Sequence, residues 1–311
     1  MTQGTLKAAL KRGALIAAAN WPVTIVQASA DSLFKLLLAA PVIGGVFLVA
    51  LAVGREPYAL MALESRELLA TIAGALMAQP LVLSAVVLAL AVVAIGGSLF
   101  VFLVKGGTVA TLVRSEREAA AIEEPPLYVS AVARASRFGA ESYIDAAWTL
   151  FPRYARLGSM LMTIYLVSGA GFLAVVARRN PAEGWSPTAL MTVLFVMWIT
   201  GVNLVYLLVQ IVIAADDCSV AAAIRRVAVF VRAERRHVAA IFALVFALVG
   251  AATGASLVAT AALGFVAFVP FFGLAALLLQ LLAWLVRGLV FQYLGLASVG
   301  AYLKLYRGFQ S

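Results

Sequence analysis

The run LVLSAVVLALAVVAIGGSLFVFLV, residues 81–104, contains no charged side chain. A helix rises about 1.5 Å per residue, so crossing a hydrocarbon core about 30 Å thick takes about 20 apolar residues, and this run is long enough. Comparable runs lie at 36–53, 157–176 and 189–215, and an apolar tract over 238–303 is broken only by Arg287. Pro270, Phe271, Phe272 and Gly273 divide that tract in two, because proline and glycine interrupt a helix. The sequence therefore predicts six spans in an all-α, polytopic transmembrane helical bundle.

Composition agrees. The 311 residues are 64% hydrophobic and 12% charged, against about 45–50% and about 25% in soluble domains, and the mean hydropathy is +1.05. Sparse charge excludes a disordered chain, the single Cys218 excludes a disulfide scaffold, and the 24 glycines show no three-residue collagen period.

Orientation follows from Lys and Arg, which are retained on the cytoplasmic side of short connections. With the amino terminus inside, 18 of the 23 cationic residues fall in cytoplasmic segments and 4 (Arg55, Arg66, Arg178, Arg179) fall outside, with Arg287 unplaced. Both termini are thus expected in the cytoplasm. A seventh span over 288–303 would put Lys304 and Arg307 outside, so that stretch is read as an extension of the last helix or an interfacial helix. No cleavable secretory signal is expected, since the first long apolar run begins some way into the chain. The Ala, Val and Arg bias points to a bacterial inner membrane, with Cys218 on the reducing side.

The chain reads as one transmembrane domain over 1–311, built from three hairpins at about 1–105, 127–215 and 217–303, with a cytoplasmic linker at about 106–126. Each hairpin is preceded by a basic, partly amphipathic segment. Leu6, Leu10, Ala14, Ala17 and Trp21 share one helical face beside Lys7, Lys11 and Arg12, which predicts a helix lying flat on the membrane. Val220, Ile224, Val227, Val231 and Val238 form a second such stripe, with Asp216, Asp217 and Ser219 as candidate caps. The middle segment, carrying Arg134, Arg137, Tyr143, Trp148, Arg153 and Arg156, is less regular.

No Asp, Glu or His lies within the six runs. Ionisable residues in a bilayer mark proton relays and catalytic acids, so no catalytic residue, metal site or cofactor is expected, and the chain reads as a non-enzyme. His237, the single histidine, stands beside Arg235 and Arg236 without metal-ligand spacing. The candidate binding residues are therefore basic and amide. Arg225, Arg226, Arg232, Arg235 and Arg236 suit anionic headgroups or a partner. Arg287 either snorkels to the headgroups or holds an anion between helices. Asn203, Gln210 and Gln280 either hydrogen-bond between helices or line a polar passage. Gly250 and Gly254 form a GxxxG motif expected to pack within the monomer, with homo-oligomer contact as the other reading. Nucleic acid is excluded as a partner, because orientation accounts for the net charge of +9.

The stretch from Ala214 through Asp216, Asp217, Cys218 and Ser219 to Ile224, followed by a basic segment and a span, resembles the third cytoplasmic helix of a group of bacterial membrane proteins. The group includes the YciC-like proteins and the membrane domain attached to some glycerophosphodiester phosphodiesterases. The closing Gly300, Ala301, Tyr302, Leu303, Lys304, Leu305, Tyr306 and Arg307 resembles the end of that group's last helix. The likeness covers about the last 100 residues. It implies a six-helix bundle with cytoplasmic termini and no chemistry of its own, because the phosphodiesterase domain has no counterpart here. Two functions remain open: a scaffold or accessory subunit engaging membrane lipids or a membrane-protein partner, and a transporter or lipid-handling permease with a cavity near Asn203, Gln210, Gln280 and Arg287.

Overall fold

A computed structural model describes residues 3–54, 77–177, 185–267 and 273–310, with Glu67 and Gly74 between the first two stretches. The helices are α1 (Gln3–Ala19), α2 (Trp21–Val53), α3 (Pro80–Glu118), α4 (Val129–Arg134), α5 (Ala140–Ala177), α6 (Trp185–Asp216), α7 (Val220–Ala233), α8 (Arg235–Ala267) and α9 (Gly273–Gln310). Six of them, α2, α3, α5, α6, α8 and α9, are long and apolar enough to cross a membrane, and no strand occurs among the described residues. The chain is an all-α, multi-pass integral membrane protein. The stretch 288–303 belongs to α9, which runs unbroken to Gln310. The proposed division at Pro270 lies outside the described residues, as do the polar segment around Arg55 and Arg66 and the connection holding Arg178 and Arg179.

Several spans are longer than a bilayer requires. α3 has 39 residues and α9 has 38, or nearly 60 Å each at about 1.5 Å per residue, twice a hydrocarbon core. The first part of the expected linker at 106–126 is accordingly helical, since α3 ends at Glu118. The middle basic segment divides: Arg134 ends the short α4, Arg137 lies between α4 and α5, and Tyr143, Trp148, Arg153 and Arg156 belong to α5.

The chain forms two compact units, Ser29–Val101 and the remainder, Met1–Ala28 with Phe102–Ser311. In the smaller unit Phe34 of α2 lies over Gly97 of α3, and Val86 lies beside Gly45. In the larger unit the buried core gathers at the charged ends of the helices. Ile16 of α1, Leu112 of α3, Tyr154 of α5, Ile211 and Ile213 of α6, Phe230 of α7, Ile241 of α8 and Tyr302 of α9 are all essentially inaccessible. Away from that end the side chains stay large, apolar and exposed, as at Leu166, Leu173, Met197, Phe246, Leu257 and Leu282. No more than 17% of any span's apolar window is buried in protein, so acyl chains supply the solvent for these walls.

Helix α1 packs against protein. It runs along α9, and Gly13 meets Gly300 so closely that a Cβ on Gly13 would stand 2.3 Å from the Ala297 carbonyl oxygen. Of the amphipathic stripe, Leu6 and Leu10 pack against the protein core and Ala17 is buried, while Trp21 stays exposed. Gly250 and Gly254, in contrast, face open space, with nothing within 4 Å of an added Cβ. Their motif makes no contact within the described monomer.

Candidate functional site

Polar groups concentrate in three places, all in the larger unit. The first is structural. The Arg12 guanidinium, 5% exposed, donates from Nε to Glu116 Oε2 at 2.6 Å and from Nη1 to Glu123 Oε2 at 2.7 Å. It also donates to the carbonyls of Glu116, Ala119 and Ala120 at 3.2, 3.0 and 2.8 Å. These carbonyls lie at the end of α3, where no next turn supplies donors, so one cation both caps the helix and opposes its negative end. Lys304 adds a contact to Glu123 at 3.3 Å, and Lys11 donates to the Glu123 carbonyl at 2.7 Å. Burial opposes ionisation of Glu123, but the Arg12 hydrogen bond, its own backbone and the charges of Arg12 and Lys304 outweigh that and hold its carboxyl below the usual range. Close by, Asn20, between α1 and α2, donates to Ser115 Oγ of α3 at 3.0 Å and accepts from the Arg137 amide, in the segment before α5, at 2.9 Å.

The second place is the turn around α7. Ser219 caps this helix through the Ala222 amide, selecting among the three candidate caps. Asp217 before it takes a φ of 46°, a left-handed conformation that aspartate tolerates better than most residues. Asp216 gathers three partners: Arg226, Tyr306 at 2.6 Å and Gln310 at 3.2 Å. Asp217 pairs with Arg153. Ala223, Val227 and Phe230 are buried, with Phe230 edge-on to Tyr306 at 5.3 Å between centroids. Arg225, Arg226, Arg232, Arg235 and Arg236 are all exposed. Among the described residues only Arg226 of these five has a carboxylate partner. Glu234 instead contacts His237 Nδ1 at 2.8 Å. Burial pushes the Cys218 thiol up, which disfavours a nucleophilic thiolate.

The third place lies between spans. Asn203 and Gln210 of α6 line a cavity of about 300 Å³ together with Gln27, Lys105, Thr108 and Gln292. The Lys105 ammonium stands 5.2 Å from the centre of the Tyr206 ring, and Thr108 donates to Gln27 Oε1 at 3.0 Å. Asn203 accepts from Tyr165 at 2.5 Å and donates to the Ile199 carbonyl at 3.0 Å. Tyr206 and Gln210 are 6% and 2% exposed, yet the Tyr206 hydroxyl and the Gln210 amide nitrogen have no hydrogen-bond partner. Each such orphan costs about 1–3 kcal/mol. Gln280 and Arg287 line a different cavity, about 670 Å³, between α8 and α9, where the Arg287 guanidinium stands 5.5 Å from the Phe291 ring. The two cavities share no lining residue, so the four polar residues expected around one passage divide into two pairs.

Lys105, Gln27, Thr108, Tyr206 and Gln292 were missed by sequence reasoning, although a signal existed. On α3, Ser98, Lys105, Thr108, Thr111 and Ser115 recur at spacings of three, four and seven. Such a polar stripe on a spanning helix marks a face turned to the interior. Arg12 carried no comparable signal, because its partners lie more than 100 residues away. Among the described residues no group of acidic, His and Cys side chains is arranged to hold a metal ion. Comparison of the chain with protein-family models, with curated proteins and with solved structures returns no match.

Proposed function

We propose that this integral membrane protein is a non-enzymatic scaffold or accessory subunit that engages anionic lipid headgroups at the cytoplasmic face through the α7–α8 turn. The supporting observation is the exposure of Arg225 and Arg232 on α7 and of Arg235 and Arg236 at the start of α8, without carboxylate partners among the described residues, with the other face of α7 fixed in the core by Val227 and Phe230. Cations held rigidly at headgroup level each contribute about 1 kcal/mol toward an anionic surface. Exposed Ile224 and Val229 beside them supply apolar area for the interface. A permease needs a polar path joining Asn203 and Gln210 to Gln280 and Arg287, and the separation of those pairs favours the scaffold.

Purification in mild detergent with quantification of bound phospholipids tests this reading. The native protein should carry anionic lipid above its share in the source membrane, and the variant Arg225→Gln/Arg232→Gln/Arg235→Gln/Arg236→Gln should carry only that share. A native protein recovered without anionic enrichment overturns it.

A further inference from the structure

A groove in the larger unit lies between α5 and α6 and holds about 510 Å³. Its lining includes Leu157 and Ile164 of α5, Met197, Gly201 and Val209 of α6 and, at one end, Ile224 of α7, and no charged side chain lines it. The two long helices are antiparallel: Tyr154 donates to the Gln210 carbonyl at 2.9 Å, and farther along α5 Ser168 accepts from Trp198 Nε1 at 3.0 Å. Phe172 and Phe195, stacked 4.5 Å apart, hold the helices together past that end of the groove, and α7 stands at the other. Ile164, Met197 and Ile224 are exposed, so the groove opens outward. Met197 and Val209 are 12 residues apart, about 18 Å along a helix axis. A helix about 10 Å across laid along that length would fill roughly 1,400 Å³, far more than the groove offers. The space suits one extended hydrocarbon chain, and flexible Met197 adapts readily to such a neighbour.

Charge at the α7 end sets this groove apart from an ordinary lipid-facing furrow. Helices α5 and α7 touch there. Arg156 immediately precedes the lining residue Leu157, and Arg225 immediately follows Ile224. Both arginines are exposed, and neither has a carboxylate partner among the described residues. Arg153, one turn before Leu157, is by contrast held by Asp217. An apolar chain ending in an anion meets both features at once, the hydrocarbon along the groove and the oxygens on guanidinium donors at its mouth. We propose that the α5–α6 groove holds one acyl chain of an anionic phospholipid whose phosphate is bound by Arg156 and Arg225. The inference rests on the headgroup reading of the α7–α8 turn. It adds a ligand class, an acylated phosphate ester, and a cation outside that turn.

Gly201 supplies the test, because it lines the groove and a Cβ added there meets nothing within 4 Å. A leucine at this position fills the groove without pressing on the protein. The full chain in detergent is titrated separately with dioleoyl phosphatidylglycerol, dioleoyl phosphatidylcholine and glycerol 1-phosphate, with the thermal unfolding midpoint as the readout. The native protein should respond most to phosphatidylglycerol, less to phosphatidylcholine, and not to glycerol phosphate, which has no chain to bury. Gly201→Leu should weaken phosphatidylglycerol binding by about tenfold or more, with the lipid-free midpoint unchanged or raised, since leucine is the better helix former. Arg156→Gln should weaken it about fivefold, the equivalent of about 1 kcal/mol for one headgroup cation, without changing the response to phosphatidylcholine. Either variant carries the test if the other fails to fold. An equal response to phosphatidylcholine, an equal response to glycerol phosphate, or phosphatidylglycerol binding indifferent to either substitution in a folded variant overturns the proposal. Such indifference, with anionic enrichment still dependent on the arginines of the α7–α8 turn, would leave the surface reading intact. A native chain with no preference for anionic lipid would remove both.

Discussion

Arg12 illustrates how one side chain holds several elements. It belongs to α1, yet its five hydrogen bonds all end on α3 and the segment after it. Arg12→Ala would leave the Glu116 carboxylate and three helix-end carbonyls without the Arg12 donor, and Glu123 with Lys304 alone, and loss of one partner from a buried ion pair costs about 3–5 kcal/mol. A clear fall in the unfolding midpoint in detergent is expected, with Arg12→Lys intermediate because an ammonium lacks the planar fork. The acid response should carry the same signature. The folded Glu123 carboxyl ionises at lower pH than in the unfolded chain, where the ordinary value is about 4.3. Its stabilisation is therefore complete above that value and disappears as the pH falls through the lower folded one. Unfolding midpoints measured from neutral pH down through the carboxylate range should converge for native and Glu123→Gln chains at the acid end; a constant gap would contradict the pairing. None of this is legible in the sequence, where Arg12 is one more topogenic cation and Glu123 one more charge before Pro125.

At the scale of the element, the spans were legible because length and apolarity alone decide them, and the bilayer imposes both. The fate of α1 was not. An amphipathic stripe reads identically whether its partner is lipid or another helix, and the deciding residues, Gly13 and Gly300, sit far apart in the chain. The reverse holds for Gly250 and Gly254, whose spacing is a recognised packing motif but whose surface is open. These two pairs make opposite predictions. Gly13→Ala drives a methyl group into the α9 backbone, which has no side chain to swing aside, and should cost about 1–3 kcal/mol by overpacking. Gly250→Ala and Gly254→Ala should leave the monomer's unfolding midpoint unchanged or slightly raised, since alanine is the better helix former. Paired thermal denaturation of the three variants in one detergent checks the contrast. Asn203, Gln210, Gln280 and Arg287 teach a related lesson: their depth along the chain was readable, but whether two helices turn them toward one space depends on rotation, which a few isolated amides do not fix.

For the molecule as a whole, the expected orientation rests on an unequal distribution of Lys and Arg among the connections. Six helices long and apolar enough to span occur among the described residues, and an even number of crossings returns the chain to the side it left. The carboxyl end and the connection around Arg178 and Arg179 should therefore lie on opposite faces. A Cys218→Ser background removes the native thiol, after which Gln310→Cys and Asn180→Cys report the two faces separately. In right-side-out vesicles a membrane-impermeant maleimide should modify Asn180→Cys and spare Gln310→Cys, and in inverted vesicles the pattern should reverse. Labelling of both from one side would contradict the six-span reading. Repeating this in the quadruple arginine variant separates orientation from lipid binding. That variant keeps 14 of the 18 cationic residues assigned to the inner face, against 4 outside, so the bias that retains positive loops persists and the labelling pattern should not change. A loss of anionic lipid in a correctly oriented protein would then belong to the α7–α8 surface itself, and not to a chain inserted the wrong way round.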